Sequence, residues 1–283
     1  MNSLQNLTHN PRLVGFARHL HVAAPLKSLE YWLRGPSDGV IRQNVAGVDV
    51  LFAAPDATEL RTLESCYADE MDFIGALRET LRFGDVFYDV GSNAGQFLIA
   101  AAKIVGDSGR AIGFEAHPGN YERLLKNVAL NQLTNVRAFR VALSDARGEV
   151  QMFGERGTAT IVPAAARYHQ DPPTCAVPAV SGDDLRRSEG LPVPKAAKVD
   201  VEGAEFAVLS GLAETLSNPA CELLCCEVHP PLLPEGTSPA SCFSLVRSLG
   251  FNQMETKARG NEIHLIARRA FGQSRVEVGT DDD

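Results

Sequence analysis

Beyond residue 85, short apolar runs alternate with longer stretches in which apolar residues recur every three or four positions. The runs predict strands and the stretches predict amphipathic helices. Residues 86–90 read as a strand that meets a glycine-rich turn, and a helix follows over about 96–105. Residues 111–114 read as a second strand. The next helix starts at Pro118, which suits the first helical position, and carries Tyr121, Leu124, Leu125 and Val128 on one face. A third strand is expected over 136–141. The alternation breaks, then resumes with strand 197–201, helix 204–216, strand 223–228 and helix 239–249. Two strand-like runs, 251–257 and 262–267, flank Arg259-Gly260-Asn261 and predict an antiparallel C-terminal strand pair at the sheet edge. This rhythm means an α/β fold: a mostly parallel sheet of seven strands with helices on both faces.

The first third is different. Leu13, Phe16, Ala17 and Leu20 predict one or two short helices within 1–35. Residues 39–54 read as a hairpin around Gly47, and 56–83 as helical, with Leu60, Leu63, Met71, Ile74 and Leu77. No chemistry is recognisable there, and the region is expected to cover an edge or mouth of the main domain. The division expected is a helical and hairpin extension (1–80), the main domain (81–270) and a disordered tail (271–283) ending in three aspartates. Residues 154–178 hold prolines and glycines without periodicity, which reads as a long loop, either a functional lid over a site or a floppy surface insertion.

Charge narrows the choice of partner. The chain has 35 acidic against 27 basic residues, a formal net charge of −8. With no long basic run, a nucleic acid held by its phosphates is not expected. No apolar stretch is long enough to span a bilayer, and no secretory leader is evident. The six cysteines, Cys66, Cys175, Cys221, Cys225, Cys226 and Cys242, form no CxxC pair. Cys225 and Cys226 read as buried strand residues, and a reducing cytoplasm is the expected location.

The candidate chemistry begins at Asp89-Val90-Gly91-Ser92-Asn93-Ala94-Gly95, where the first strand gives way to a helix. Glycines there let the backbone turn tightly and a ligand come close. Glu115 ends the second strand, 20 residues after Gly95. That is the place for a carboxylate that accepts hydrogen bonds from ribose hydroxyls in a Rossmann-like fold. A dinucleotide site would want a third glycine and a glycine at position 93; a P-loop would want Lys-Ser or Lys-Thr. Asp89 would repel a pyrophosphate and suit a cationic ligand. The cofactor these residues favour is S-adenosylmethionine, with Asp89, Gly91, Ser92, Asn93, Gly95 and Glu115 around it.

These segments resemble the FkbM family of methyltransferases. The resemblance is carried by residues 88–95, by Phe114-Glu115-Ala116-His117-Pro118, by Asn127 to Asn131 and by Val141-Ala142-Leu143-Ser144-Asp145. It continues through Lys198-Val199-Asp200-Val201-Glu202-Gly203-Ala204-Glu205 to Glu227-Val228-His229-Pro230, and covers roughly residues 80–268. Ala116 and His117 stand where the family's second strand usually runs directly from Glu to Pro. The resemblance implies that Asp89, Gly91 and Gly95 contact the methionine part and that Glu115 holds the ribose. It implies that Ser144 and Asp145 flank the adenine, Asp145 having the alternative of a turn residue. It also implies O-methylation of a hydroxyl on a sugar or natural product.

Asp200 and Glu202 are expected at the end of the fourth strand, near the transferred methyl, pointing the same way because strand side chains alternate. Glu227 and His229 end the fifth. The acceptor's proton would go to His229, supported by Asp200 or Glu202. Glu205 reads either as a favourable charge at a helix N-terminus or as a catalytic group. Mg²⁺ on the oxygen-rich cluster is the less favoured alternative to a protein base, and no metal ligands are assigned. Two other functions compete: an NAD-dependent dehydrogenase, and a non-catalytic module that binds S-adenosylmethionine. The acceptor's identity and the oligomeric state are not readable.

Overall fold

In the computed structural model, residues 29–63 except 30, 34, 55 and 62, then 70–153 and 173–269, are described. An antiparallel hairpin comes first, β1 (Val40–Val45) and β2 (Val48–Ala53). It turns at Ala46 and Gly47, both at positive φ as a tight two-residue turn demands. Helix α1 (Met71–Thr80) leads into the alternating region. There β3 (Val86–Val90), α2 (Gln96–Val105), β4 (Arg110–Phe114), α3 (Pro118–Leu130) and β5 (Val136–Phe139) follow one another. Three further strands are β6 (Ala142–Ser144), β7 (Gly148–Phe153) and β8 (Pro173–Ser181). Then come α4 (Gly182–Ser188), β9 (Ala196–Val199), α5 (Glu205–Gly211), α6 (Ala213–Ser217) and β10 (Leu223–Val228). Helix α7 (Pro239–Ser248), β11 (Gln253–Arg259) and β12 (Glu262–Arg268) complete the described chain.

Seven strands form the main sheet in the order β11-β12-β10-β9-β3-β4-β5. Neighbours from β10 to β5 are parallel, and β12 runs antiparallel to both β10 and β11. Chain order reverses between β3 and β9, and ligands of open parallel sheets bind at such a crevice, beyond the carboxyl ends of the strands. Both faces are covered. Phe52, Phe73, Phe87, Phe97 and Cys225 belong to the core on one side, with the hairpin, α1 and α2. Tyr88, Val90, Leu209, Leu212, Cys226 and Phe251 belong to the other. Adjacent Cys225 and Cys226 are fully buried in opposite cores, as alternation along a central strand requires.

The hairpin docks through amide side chains. The Leu51 N–H donates to Asn131 Oδ1 (3.0 Å), and Asn131 Nδ2 donates back to the Leu51 carbonyl (2.6 Å). The Ala53 N–H donates to Asn127 Oδ1 (3.0 Å), and Asn127 Nδ2 reaches the Ala94 carbonyl in the glycine-rich turn (2.9 Å).

Several sequence expectations are corrected. The helix expected over 56–83 is not continuous: residues 57–61 and 63 are helical, α1 spans Met71–Thr80, and Leu81 is already extended. The strand expected over 136–141 ends at Phe139, and the next residues leave the main sheet to pair as β6 with β8. The helix expected over 204–216 is two helices. The Asp183 carboxylate accepts from the Glu214 and Thr215 N–H groups (2.7 and 2.8 Å) and gives α6 its own start. Residues 173–178, expected to be loop, lie in β8. The expectations for residues 1–28, for 154–172 and for the tail 271–283 lie outside the described residues.

Candidate active site

The backbone at the end of β3 sets the floor. The Gly91 and Ser92 N–H groups both donate to the Phe114 carbonyl (2.9 and 3.1 Å). Gly91 has φ +80°, and a Cβ on it would stand 1.7 Å from the Asp200 carbonyl oxygen. Only glycine lets the turn after β3 pass this close to the turn after β9. Next, the Asn93 N–H donates to Glu115 Oε2 (2.7 Å) and the His117 N–H to Oε1 (2.8 Å). Asn120 Nδ2 lies 3.4 Å from the same Oε1. His117, just before Pro118, thus serves the site, since it grips Glu115 and its ring also caps α3 at the Asn120 N–H (3.3 Å). Arg123 donates to Asn93 Oδ1 (3.0 Å) and Asn120 Oδ1 (2.8 Å) and pairs with buried Glu59 from the N-terminal region. Burial pushes the Glu115 carboxyl up to about 7 against these hydrogen bonds.

A cavity open to solvent, with about 610 Å³ of empty space when that solvent is counted, lies in front of Glu115. Gly91, Asn93 and Glu115 line one wall, Leu143 and Met152 an apolar one, and Asp200 and Glu202 the far one. Ser144 and Asp145 do not line it. The Ser144 carbonyl packs on Gly211, where a Cβ would stand 1.7 Å away, and Asp145 is exposed. Because β6 turns out of the main sheet, Ala142 and Leu143 take the place expected for those two. Ser92 and Gly95 shape the turn without lining the cavity. Asp89 sits behind it, 1% exposed, with neither carboxylate oxygen hydrogen-bonded. Burial pushes its pKa up to about 6, with Lys198 opposing. An orphaned buried carboxylate, a glycine that admits close approach and a strand-end acid gripped by backbone N–H groups fit a cationic adenosine cofactor.

The far wall is charged. Lys198, next to Asp89 in register across β9 and β3, donates from Nζ to Asp200 Oδ2 (2.9 Å) and lies 3.7 Å from Glu70. It also sits 4.5 Å over the Phe97 ring. Burial opposes the Lys198 charge, but Asp200 and Glu70 hold its pKa well above the ordinary value. Burial likewise opposes ionised Asp200, yet Lys198 and His229 bring its pKa below the ordinary value. The turn after β9 places Glu202 at φ +53°, so its carboxylate reaches the wall by a left-handed turn and not by strand alternation. Burial raises its pKa, with Asp200 and Glu227 adding and His229 opposing.

His229 follows β10 and is 4% exposed. Its Nδ1 is 2.7 Å from Glu205 Oε1. Its Nε2 is 3.7 Å from Glu202 and 3.9 Å from Asp200, beyond hydrogen-bonding reach. The side chain that grips the ring is therefore Glu205, and not Asp200 or Glu202 as expected, because the turn before α5 aims Glu205 back at β10. Burial would lower the His229 pKa, but the Glu205 bond and the Asp200 and Glu202 charges raise it to about 10. Behind it, Glu227 lies 3.3 Å from Arg259 and 3.4 Å from His264. His264 Nδ1 is 2.9 Å from Asp72, and its ring stacks on Phe73 (4.3 Å). Asp200, Glu227 and His229 could each turn one ligand atom toward a common point, all within 4.8 Å. Lys198 on Asp200 and Arg259 on Glu227 already neutralise two of these groups, and imidazole is a poor ligand for Mg²⁺.

Sequence reasoning missed Glu59, Glu70, Asp72, Lys198 and His264. Two of them carried a signal. Lys198 shares the Asp200 face at a spacing of two, and His264 interrupts an apolar strand. No helix among the described residues is long and apolar enough to cross a membrane.

Residues 89–253 match the family described as the methyltransferase FkbM domain. The chain is 28% identical over 225 residues to the hexuronic acid methyltransferase AglP of Haloferax volcanii, covering 80% of this chain and 87% of that one. Among solved structures, the FkbM methyltransferase of Methylobacillus flagellatus aligns with TM-score 0.46 at 12% identity, covering 75% of this chain and 59% of that one. Precorrin-6y C5,15-methyltransferase of Geobacter metallireducens aligns with TM-score 0.44 at 12% identity, covering 69% and 86%.

Proposed function

This chain belongs to the FkbM methyltransferase family and is an S-adenosylmethionine-dependent methyltransferase; from that premise we propose that it methylates a hydroxyl of a sugar, with His229 as the base. The sugar is supported by the relative that acts on a hexuronic acid. Bound S-adenosylmethionine supplies a methyl carbon already activated by its sulfonium. Glu115 would hold the ribose hydroxyls, and the apolar Leu143–Met152 wall would receive the adenine. Asp89 would answer the positive charge of the methionine end from behind the turn. The protein's remaining task is to align the acceptor and take its proton.

One observation carries the assignment of the base. His229 Nε2 has no hydrogen-bond partner among the described residues, and it lies immediately behind the two carboxylates of the far wall. Asp200 and Glu202 would hold the acceptor beside it and stabilise the imidazolium that forms. The five described cysteines are all free, which suits a cytoplasmic location. The test is turnover of a panel of sugars with an isotopically labelled methyl donor. His229→Ala should lower kcat on the order of 10²–10⁴-fold and leave the affinity for S-adenosylmethionine unchanged. Near-wild-type turnover would remove His229 from this role, and methyl transfer to none of the sugars would remove the acceptor class.

A further inference from the structure

A histidine acts as a base at one ring nitrogen when the other is fixed by a hydrogen bond. Three carboxylates stand close to His229, and only one of them grips it. Glu205 Oε1 lies 2.7 Å from Nδ1 and also accepts the Gly203 N–H (2.8 Å). The Glu205 side chain is fully buried, and its Oε2 has no partner among the described residues. A charge that served only the start of α5 could do so from the surface, without the cost of burial. Burying a carboxylate with one idle oxygen is expensive unless its other contacts compensate. Here those contacts are a single backbone N–H and the His229 ring. Gly203 at φ +100° and Glu202 at φ +53° form the turn that directs Glu205 to it.

We propose that Glu205 is the positioning residue of this active site: it keeps the His229 proton on Nδ1 and turns Nε2 toward the acceptor. The proposal rests on His229 being the base. In the step it serves, the acceptor's O–H proton passes to Nε2 and the oxygen's electron pair forms the bond to the methyl carbon. The imidazolium keeps its Nδ1–H on Glu205, which takes no proton itself. The charged groups facing the ring are Glu205 from α5, Asp200 and Glu202 from the turn after β9, Glu227 from β10 and Glu262 from β12. Lys198 and Arg259 stand one contact further out, on Asp200 and Glu227. Of the five carboxylates, Glu205 is the one held on the nitrogen that faces away from the acceptor.

The experiment is a double-mutant cycle read as pH profiles, with ¹⁵N-histidine spectra of the protein alone. Glu205→Gln should keep the Gly203 contact while removing the charge. It should lower kcat on the order of 10²-fold, leave the KM for S-adenosylmethionine unchanged, and move the His229 titration to lower pH in both the rate and the spectrum. In the His229→Ala background the same change should cost nothing further, because Glu205 acts through that ring. Glu205→Asp keeps the charge, withdraws the oxygen and serves if the amide variant does not fold. It should lower kcat while its pH limb stays nearer the wild type's. Independent, multiplicative losses in the double mutant would overturn the proposal, as would an unmoved His229 titration in a folded Glu205→Gln protein. Either result, with His229→Ala still inactive, would leave the base assignment standing. Full turnover in His229→Ala would overturn both.

Discussion

The two walls of the cavity are held by different physics. On the cofactor side, Glu115 is gripped by N–H groups of Asn93 and His117, the farther of them 22 positions away. On the acceptor side, Asp200 depends on Lys198, Lys198 also faces Glu70, and Glu227 leans on His264, which is held by Asp72 from 192 positions away. The first arrangement is mostly backbone hydrogen bonding within one β-α-β unit. The second is an ion network drawn from the N-terminal helix, two central strands and the closing hairpin. The family match, 89–253, contains Asn93, Glu115 and His117 and omits only Glu59 behind Arg123, whereas it omits Glu70, Asp72, Arg259 and His264 from the second wall. The grip on Glu115 can therefore be specified within a short stretch of chain, whereas the charged wall draws on segments near both ends of the described residues.

The sharpest way to break this contrast is at Lys198. Lys198→Met removes the cation from two carboxylates with little solvent access, a loss of about 3–5 kcal/mol by the usual cost of breaking a buried pair. Denaturant melts should show the loss, and saturating S-adenosylmethionine should recover part of it through the surviving Glu115 wall. The next effect is on pH. With neutral His229 proposed as the base and its pKa raised to about 10, the reactive fraction grows as pH rises and levels off only near that value. kcat should climb about tenfold per pH unit below it while this proton transfer limits the rate. Cofactor affinity should change in a different window. Ribose hydroxyls favour ionised Glu115, so binding should tighten as pH rises through about 7 and then flatten. A common pH midpoint for both would show that the two walls titrate as one unit.

Smaller changes sharpen the comparison further. Glu115→Ala should weaken S-adenosylmethionine binding by about 1–3 kcal/mol, the scale of losing a charge-assisted partner, with calorimetry as the measurement. Unchanged affinity in the folded variant would take Glu115 out of the cofactor site. Asn127→Ala should cost about 1–2 kcal/mol of thermal stability, because the Ala53 N–H and the Ala94 carbonyl both lose a partner. Its effect on cofactor affinity should stay below that of Glu115→Ala.

The same contrast explains which parts of the fold and site are legible in the sequence. The seven strands, the glycine-rich turn and Glu115 follow from short-range patterns, since apolar periodicity and turn chemistry act over a few residues. Asp200, Glu202 and His229 are recognisable as strand-end polar groups, and they do come together. The partner of His229 was not readable, because the turn at Glu202 and Gly203 redirects Glu205 and a left-handed glutamate has no sequence signature. The family resemblance implies that Ser144 and Asp145, just after the third strand, flank the adenine. Pairing of β6 with β8, more than thirty residues on, takes them elsewhere. Glu70 and Asp72 fall within the helix expected over 56–83 with nothing in the sequence to mark them, and only the packing of α1 against the sheet gives them partners.

The position of β12 has a consequence for how the protein stays soluble while it folds. Strand β10, Leu223-Leu224-Cys225-Cys226-Glu227-Val228, is buried along its whole length. Until β12 arrives, one edge of this strand presents unpaired N–H and carbonyl groups in an apolar sequence, the kind of template on which other chains pair and aggregate. Among the described residues β11 makes its ladder only with β12, so it joins this sheet through that strand. Once docked, the hairpin replaces that sticky edge with β11, whose exposed Glu255 and Lys257 discourage further pairing. The closing hairpin that brings Arg259 and His264 to Glu227 is thus also the cap that keeps this sheet from growing into its neighbours.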